Sequence, residues 1–337
     1  MSIFNGKEFN QKYSNIQCVK LTNKLENHNG LQFHSGLNKD ILLFNPNIDC
    51  QPGGIYFCSI DKLSYWLNYT ILPMVYVRLV TIPDDALVCV GNNKFKANQI
   101  ILGERQQIVD LEQWKHPLYC LAAVQQNGLA LQYVDQQTPQ IKLAAVQQNG
   151  LALQFVDQQI PQISLAAVRR NGLALQYVDQ QSENICLEAV KKDCLALQYV
   201  EQQTHEINLA AVRRNGLLLY HIQQQTPQIC LAAVQQHAHA LQYVKQQSEN
   251  ICLEAVKKDC LALQYVHQQT LEINLAAVQQ NWRTFSFVKE KNPDICSFVV
   301  DLSGLQLPEI IQQSQFFGAF ALYPQPFYKW AGKFCKN

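Results

Sequence analysis

Charge is scarce in this sequence. Charged residues make up 16% of its 337 positions, and 27 lysines and arginines face 26 aspartates and glutamates, leaving a formal net charge of +1. Such a chain has no global field to steer nucleic acid or an acidic membrane surface toward it, and neither is the expected partner. Long hydrophobic runs are also missing: no stretch of 18 apolar residues occurs, which excludes a membrane-spanning helix. The opening MSIFNGKEFNQKYSN lacks the charged-then-apolar order of a secretory signal, so the sequon Asn68-Tyr69-Thr70 reads as coincidence. There is no P-loop, no GxSxG and no CxxC or Cys/His spacing for zinc. No cofactor and no metal is expected, and the chain reads as non-enzymatic.

What is present, from Leu121 onward, is one 22-residue unit repeated eight times, cleanest at Leu143 to Ser164 as LAAVQQNGLALQFVDQQIPQIS. A fixed period of this length marks stacked units that bury their apolar faces against neighbours. Thr138-Pro139 gives a hydroxyl cap and a proline at the first helical position, and Ser182-Glu183 and Ser248-Glu249 give a cap with an acidic first turn. A first helix PQIKLAAVQQ is therefore expected, stopping at Asn149-Gly150 read as a left-handed C-cap. A second helix, LALQFVDQQ, follows. Its expected apolar face is Leu151, Ala152, Leu153, Phe155 and Val156, and that of the first helix is Ile141, Leu143, Ala145 and Val146, each broad enough to be packed on both sides by neighbouring repeats. The Gln-Gln pairs at 136–137, 158–159, 180–181, 202–203, 224–225, 246–247 and 268–269 read as solvent face. Of twelve cysteines, Cys120, Cys186, Cys230, Cys252 and Cys296 close units, where other copies carry Lys142, Ser164, Asn208 or Asn274, and Cys194 and Cys260 replace the unit's glycine. No disulfide scheme survives that variation, so the thiols read as reduced and intracellular, serving as small semi-apolar helix residues.

The copies differ in places that suggest contacts. Arg169, Arg170, Lys191, Lys192, Arg213 and Arg214 occupy the same two positions of three consecutive units. They form a candidate basic ridge for an acidic peptide or phosphate backbone, set against the plainer reading of a solvated face in which Glu188 pairs with Lys191 and Lys192. Unit five breaks pattern with Tyr220 on the polar face and His221 in the place of the repeat's core tyrosine, a second candidate binding point. His221, His237 and His239 read as drift in a copied array. NWRTFSFVKEK in unit eight reads as a terminal cap. A short helix at Leu305 to Gln313 and an aromatic tail, Phe316 to Trp330, follow.

Residues 1–118 lack the period. Strands are expected at Cys18–Thr22, Gly54–Cys58, Val75–Ile82, Ala86–Val90 and Gln99–Leu102, and a helix at Ser59–Leu67 with Tyr65 and Trp66 partly inward. His28, His34, Tyr56, Tyr65 and Glu104 supply residue types of an ADP-ribosyltransferase-like site, the alternative enzymatic reading. The fold class is mixed: a small α+β domain (1–118), an all-α solenoid of helix-turn-helix repeats (119–296) and a C-terminal cap or tail (297–337).

The pattern Q-x-I-C-L-x-A-V-x-x-N/D-x-L-A-L-Q-Y-V resembles a helical repeat of unknown function found in large DNA viruses of amoebae and some intracellular bacteria. The segments CQPGGIYFC, VTIPDDALVCV and KFKANQIILGERQQI resemble the N-terminal module of Mimivirus-type repeat proteins, where it often precedes ankyrin arrays. The two resemblances cover Gln17 to Cys296 and bring no known functional residues. They imply an uncharacterised giant-virus protein of the host cytoplasm or the virion, with a shared head and an exchangeable recognition arm. The leading expectation is an adaptor whose repeats bind a host or viral protein; the alternative is a structural, self-assembling virion component.

Overall fold

The computed structural model describes residues 3–28, 30–68, 73–306, 308–310 and 312. The aromatic tail, Tyr69-Thr70 of the sequon and part of the helix expected at Leu305–Gln313 lie outside them. The chain divides into two compact units, Met1–Gln180 and Gln181–Asn337.

The first unit opens with β1 (Ile3–Asn5), α1 (Gly6–Lys12), β2 (Cys18–Asn23), β3 (Asn27–His28), β4 (Leu31–Gln32) and β5 (Gly36–Lys39). It continues with β6 (Ile55–Ser59), β7 (Met74–Thr81), β8 (Leu87–Val90), β9 (Phe95–Ala97) and β10 (Gln99–Gln107). Eight strands form one sheet in the order β1-β8-β9-β6-β2-β7-β10-β5, and β3 pairs with β4 as a separate hairpin. Neighbouring strands are antiparallel. Phe9 of α1 packs on Tyr13, Phe57 and Phe95 with ring centroids 4.7, 6.1 and 5.2 Å away, joining the buried Ile55, Val88, Ile100 and Leu102. The five expected strands are all present. The helix expected at Ser59–Leu67 is a 3-10 helix, Ile60–Trp66, that buries Leu63 and Ser64 and leaves Tyr65 exposed. Tyr65 is thus not inward, because a three-residue period turns Ile60 and Leu63 to one side and Tyr65 to another.

Three repeats complete this unit. They use α2 (Pro117–Gln126), α3 (Pro139–Gln148) and α4 (Pro161–Arg170), each followed by a 3-10 helix: Gly128–Tyr133, Gly150–Phe155 and Gly172–Tyr177. The 3-10 turns of the head hold the first repeat directly. Trp114 donates its indole N–H to Ile108 O and stacks on Tyr133 at 5.3 Å. The Tyr119 hydroxyl donates to Ile60 O, and Asn127 Nδ2 donates to Ser64 O.

The second unit carries α5 (Glu183–Lys192), α6 (His205–Arg214), α7 (Pro227–Gln236), α8 (Glu249–Lys258), α9 (Leu271–Gln280) and α10 (Pro293–Ser303). Between them lie 3-10 helices Cys194–Tyr199, Gly216–His221, Ala238–Tyr243, Cys260–Tyr265 and Trp282–Phe287. α10 runs past Cys296 and ends on the left-handed Gly304, φ 67°. Phe285 of the terminal copy is fully buried.

Where the sequence offers a hydroxyl cap the α-helix starts on it: Thr138 accepts from Ile141 N, and Ser182, Thr204, Thr226, Ser248 and Thr270 cap likewise, whereas α2 and α4 start behind His116 and Ile160 with a first-turn proline and no side-chain cap. Two expectations are overturned. The second helix is six residues of 3-10 and not nine of α, which buries Ala152, Leu153 and Val156 but leaves Leu151 and Phe155 half-exposed; Leu143 is 37% exposed. Asn149 is extended (φ −142°, ψ 111°), ending the α-helix while its side chain accepts from Leu151 N to start the 3-10 turn. Gly150 therefore serves close approach and not a left-handed cap: a Cβ there would lie 2.5 Å from Ala167 O of the next repeat.

The glutamine pairs are also more than solvent face. The first member is exposed, but the second reaches the following repeat's main chain. In the first unit Gln137 Nε2 donates to Phe155 O (2.8 Å) and its Oε1 accepts from Asp157 N (3.2 Å), and Gln159 does the same with Tyr177 O and Asp179 N. In the second, Gln181, Gln225, Gln247 and Gln269 repeat both bonds, on Tyr199/Glu201, Tyr243/Lys245, Tyr265/His267 and Phe287/Lys289. Gln203 keeps only the donor bond, to His221 O, and its Oε1 is buried without a partner, as is Oδ1 of Asn208. Replacing Gln247 by Met should therefore remove both bonds, to a half-buried carbonyl and to an exposed N–H, and cost about 1–3 kcal/mol, whereas Gln203→Met should cost about half as much. Urea unfolding of the two variants checks this, and equal losses would refute the two-bond account.

Candidate functional site

The basic pairs sit at the C-terminal ends of their helices, where a cation meets the negative end of the helix dipole. In the first unit Arg170 Nε donates to Gln148 O of the preceding helix (3.2 Å). In the second, Arg214 donates to Lys191 O, and Lys191 lies 3.9 Å from Glu188. Arg170 and Arg214 thus tie one helix end to the previous one while remaining exposed with Arg169, Lys192 and Arg213. Glu254, the corresponding carboxylate three repeats on, is contacted by Gln235 of the repeat before it, at 3.3 Å.

The 3-10 helices of the second unit present a different surface. Leu195 is 49%, Leu217 36% and Tyr220 70% exposed, on the two consecutive turns Cys194–Tyr199 and Gly216–His221. Tyr220 is held edge-on by His221 at 5.3 Å and by Tyr243 of the next repeat at 5.4 Å. His221 is exposed, where the other repeats have a half-buried aromatic ring. His237 and His239 lie ring against ring at 5.5 Å, with His239 3.7 Å from Asp259. Among the described residues no group of three or more His, Cys, Asp or Glu is arranged to hold a metal.

Sequence reasoning overlooked a cleft in the sheet domain. Its walls come from β2, the β3–β4 hairpin, β6 and the start of β7, and include Lys20, His28, Phe33, Tyr56, Trp66 and Met74 around about 70 Å³. His28 and Tyr56 of the proposed ADP-ribosyltransferase set meet here, but Glu104 lines a separate groove with Gln17, Ile60 and Val77. Lys20 is 6% exposed, with Nζ 4.7 Å over the Phe33 ring. Burial pulls its pKa down to about 8, and burial together with Lys20 lowers that of His28. Burial pushes the thiols of Cys18 and Cys58 up to about 12. The one signal in the sequence is a lysine inside the strand CVKLTN, whose first five residues are all buried.

An α+β head followed by short helical repeats defines a repeat protein of modular build. The repeats match the family described as "Domain of unknown function (DUF4116)" at residues 118–160, 161–203, 182–225 and 248–291. The head, over about the first 104 residues, is 36% identical to uncharacterized protein R869 of Acanthamoeba polyphaga mimivirus, a match covering 30% of this chain and 75% of that protein. Two putative ankyrin repeat proteins of the same virus match over 104 residues each: R868 at 33% identity (29% of this chain, 50% of that protein) and R229 at 32% (28% and 33%). The chain thus covers half of R868 and one third of R229. It belongs to the family of R869, the giant-virus proteins that share this head. No solved structure matches it.

The lowered pKa of Lys20 has a measurable consequence. Between pH 8 and the ordinary lysine value the unfolded chain holds a proton the folded head has released, so stability rises with pH. From pH 8 to 9 this contributes about 1 kcal/mol, with Lys96 acting in the same sense and the thiols of Cys18 and Cys58 opposing it above pH 9. Subtracting the profile of Lys20→Met isolates the lysine: the variant should lose that rise and be no less stable than the parent at pH 7. Identical pH profiles would show that Lys20 titrates as an ordinary lysine.

Proposed function

We propose that this protein is a non-enzymatic adaptor in which the helical repeats bind a host or viral protein in the host cytoplasm. The observation that carries the reading is the exposed apolar row Leu195, Leu217 and Tyr220 on consecutive 3-10 turns of the second unit. Tyrosine is enriched among residues that dominate protein interfaces, and a ring already fixed between His221 and Tyr243 loses little freedom on binding. Stacked repeats offer long surfaces of this kind. Two relatives of the head carry names that make them putative ankyrin repeat proteins, consistent with one head joined to alternative recognition arrays. The basic pairs contribute less, because Arg170 and Arg214 are already engaged by main-chain carbonyls.

The test is affinity capture with mass spectrometry from infected amoebae, using the full chain and its L217S/Y220A variant. A stoichiometric protein partner should be captured by the parent and fall at least tenfold with the variant. The thermal midpoint should hardly move, since surface substitutions of this kind shift stability by only about 0.5 kcal/mol. Capture unaffected by the double substitution would remove this face from the interaction. Recovery only with virus particles and further copies of the chain would replace the adaptor by a structural component.

A further inference from the structure

Among the described residues three lysines are buried, and two have evident partners. Lys96 donates to the carbonyls of Asn47 and Gln51 at 3.0 and 2.9 Å, and Lys142 to Gln158 O while pairing with Asp157. Lys20 has none: among the described residues no hydrogen bond or carboxylate reaches its ammonium, which meets only the face of Phe33. Glu26, which follows β2 in the chain, is committed elsewhere. Glu26 takes Arg78, the cross-strand neighbour of Lys20, at 2.9 and 3.2 Å, together with Arg105 at 3.5 Å and the Thr22 hydroxyl. No aspartate or glutamate lines the cleft into which Lys20 faces. An unpaired buried ammonium is costly, and a methionine of similar length would fill the space without that cost.

We propose that this cleft binds a small monocarboxylate with a flat apolar body, the carboxylate pairing with Lys20 and the body lying among Phe33, Tyr56 and Met74. The charge count favours a monoanion over a phosphate dianion. One ammonium stands at depth beside a histidine held neutral by burial, and the next cation, Lys94, sits toward Tyr56 and Trp66, 4.7 and 5.3 Å from their rings. The cleft is open on one side, and its walls are largely apolar and aromatic, which suits the flat face of a ring.

The test titrates the ¹⁵N-labelled full chain with benzoate, benzyl alcohol and inorganic phosphate in separate runs, followed by TROSY spectra. Benzoate should saturate, with shifts centred on Lys20, His28 and Phe33, and bind at least tenfold more tightly than benzyl alcohol, which has the same ring without the charge. Lys20→Met should reduce benzoate to the level of benzyl alcohol. The comparison of the two ligands on the unaltered chain holds even if that variant fails to fold. Absence of saturable benzoate binding, equal affinity for the alcohol, or phosphate binding as tightly as benzoate would each overturn the proposal.

Discussion

The repeats depend on one side-chain amide. A repeat of 22 residues that spends ten on an α-helix and six on a 3-10 helix cannot satisfy its own main chain. The carbonyl and N–H at the end of each 3-10 turn point out of the repeat, and the half-buried carbonyl in particular needs a partner. Glutamine at the seventeenth position of the unit supplies a donor and an acceptor on a stem long enough to cross to the next repeat. It pairs with both groups much as another peptide would. Glutamate lacks the donor and methionine lacks both. Where the described array stops, Lys291 takes the position and turns back to Val288 O of its own repeat.

This bond also accounts for the cysteines. The last residue of the unit lies beside the clamping amide: Ser164 donates to Gln159 Oε1, and the thiols of Cys186, Cys230 and Cys252 do so to Gln181, Gln225 and Gln247. Burial holds those thiols well above their ordinary pKa, to about 11 at Cys186 and Cys252, so they stay protonated and able to donate. Asparagine disturbs the arrangement: Oδ1 of both Asn208 and Asn274 is buried without a partner. At Asn208 the clamp itself is half lost, which makes that joint the least satisfied in the second unit.

The parts of this design that were legible in the sequence are those encoded locally. Thr138-Pro139 fixed the start of a helix, and the change at Asn149 fixed its end, because caps act within three residues. The second helix was misread because the six residues GLALQF fit a period of 3.0 as well as one of 3.6. The clamp left no local trace: its partners lie 18 and 20 residues away, and a polar pair between apolar runs looks like surface. In the head, β-branched runs disclosed five of the sheet's strands, whereas the edge strands β1 and β5 and the interior strand β9 are short and ordinary in composition. Lys20 was missed for a related reason. Alternation predicts one solvent face for a strand, and β2 is covered on both.

Because the clamp binds main chain, it leaves side chains free. The carbonyl it needs belongs to the unit's thirteenth residue and the N–H to its fifteenth, so neither position is tied to a side chain. The thirteenth is accordingly Tyr, Phe or His, and the fifteenth runs from Asp157 and Glu201 through Gln223 to Lys245 and His267. The residues that fill the core, Ile141, Ala145, Val146, Ala152 and Leu153 in the cleanest copy, have no such freedom, since each is enclosed by neighbouring repeats. A fold whose joints ignore surface chemistry can place Tyr220 beside His221, or change the sign of a whole row, without disturbing its stacking. Recognition can then vary from copy to copy while the frame stays constant, the division of labour that an array joined to a shared head requires.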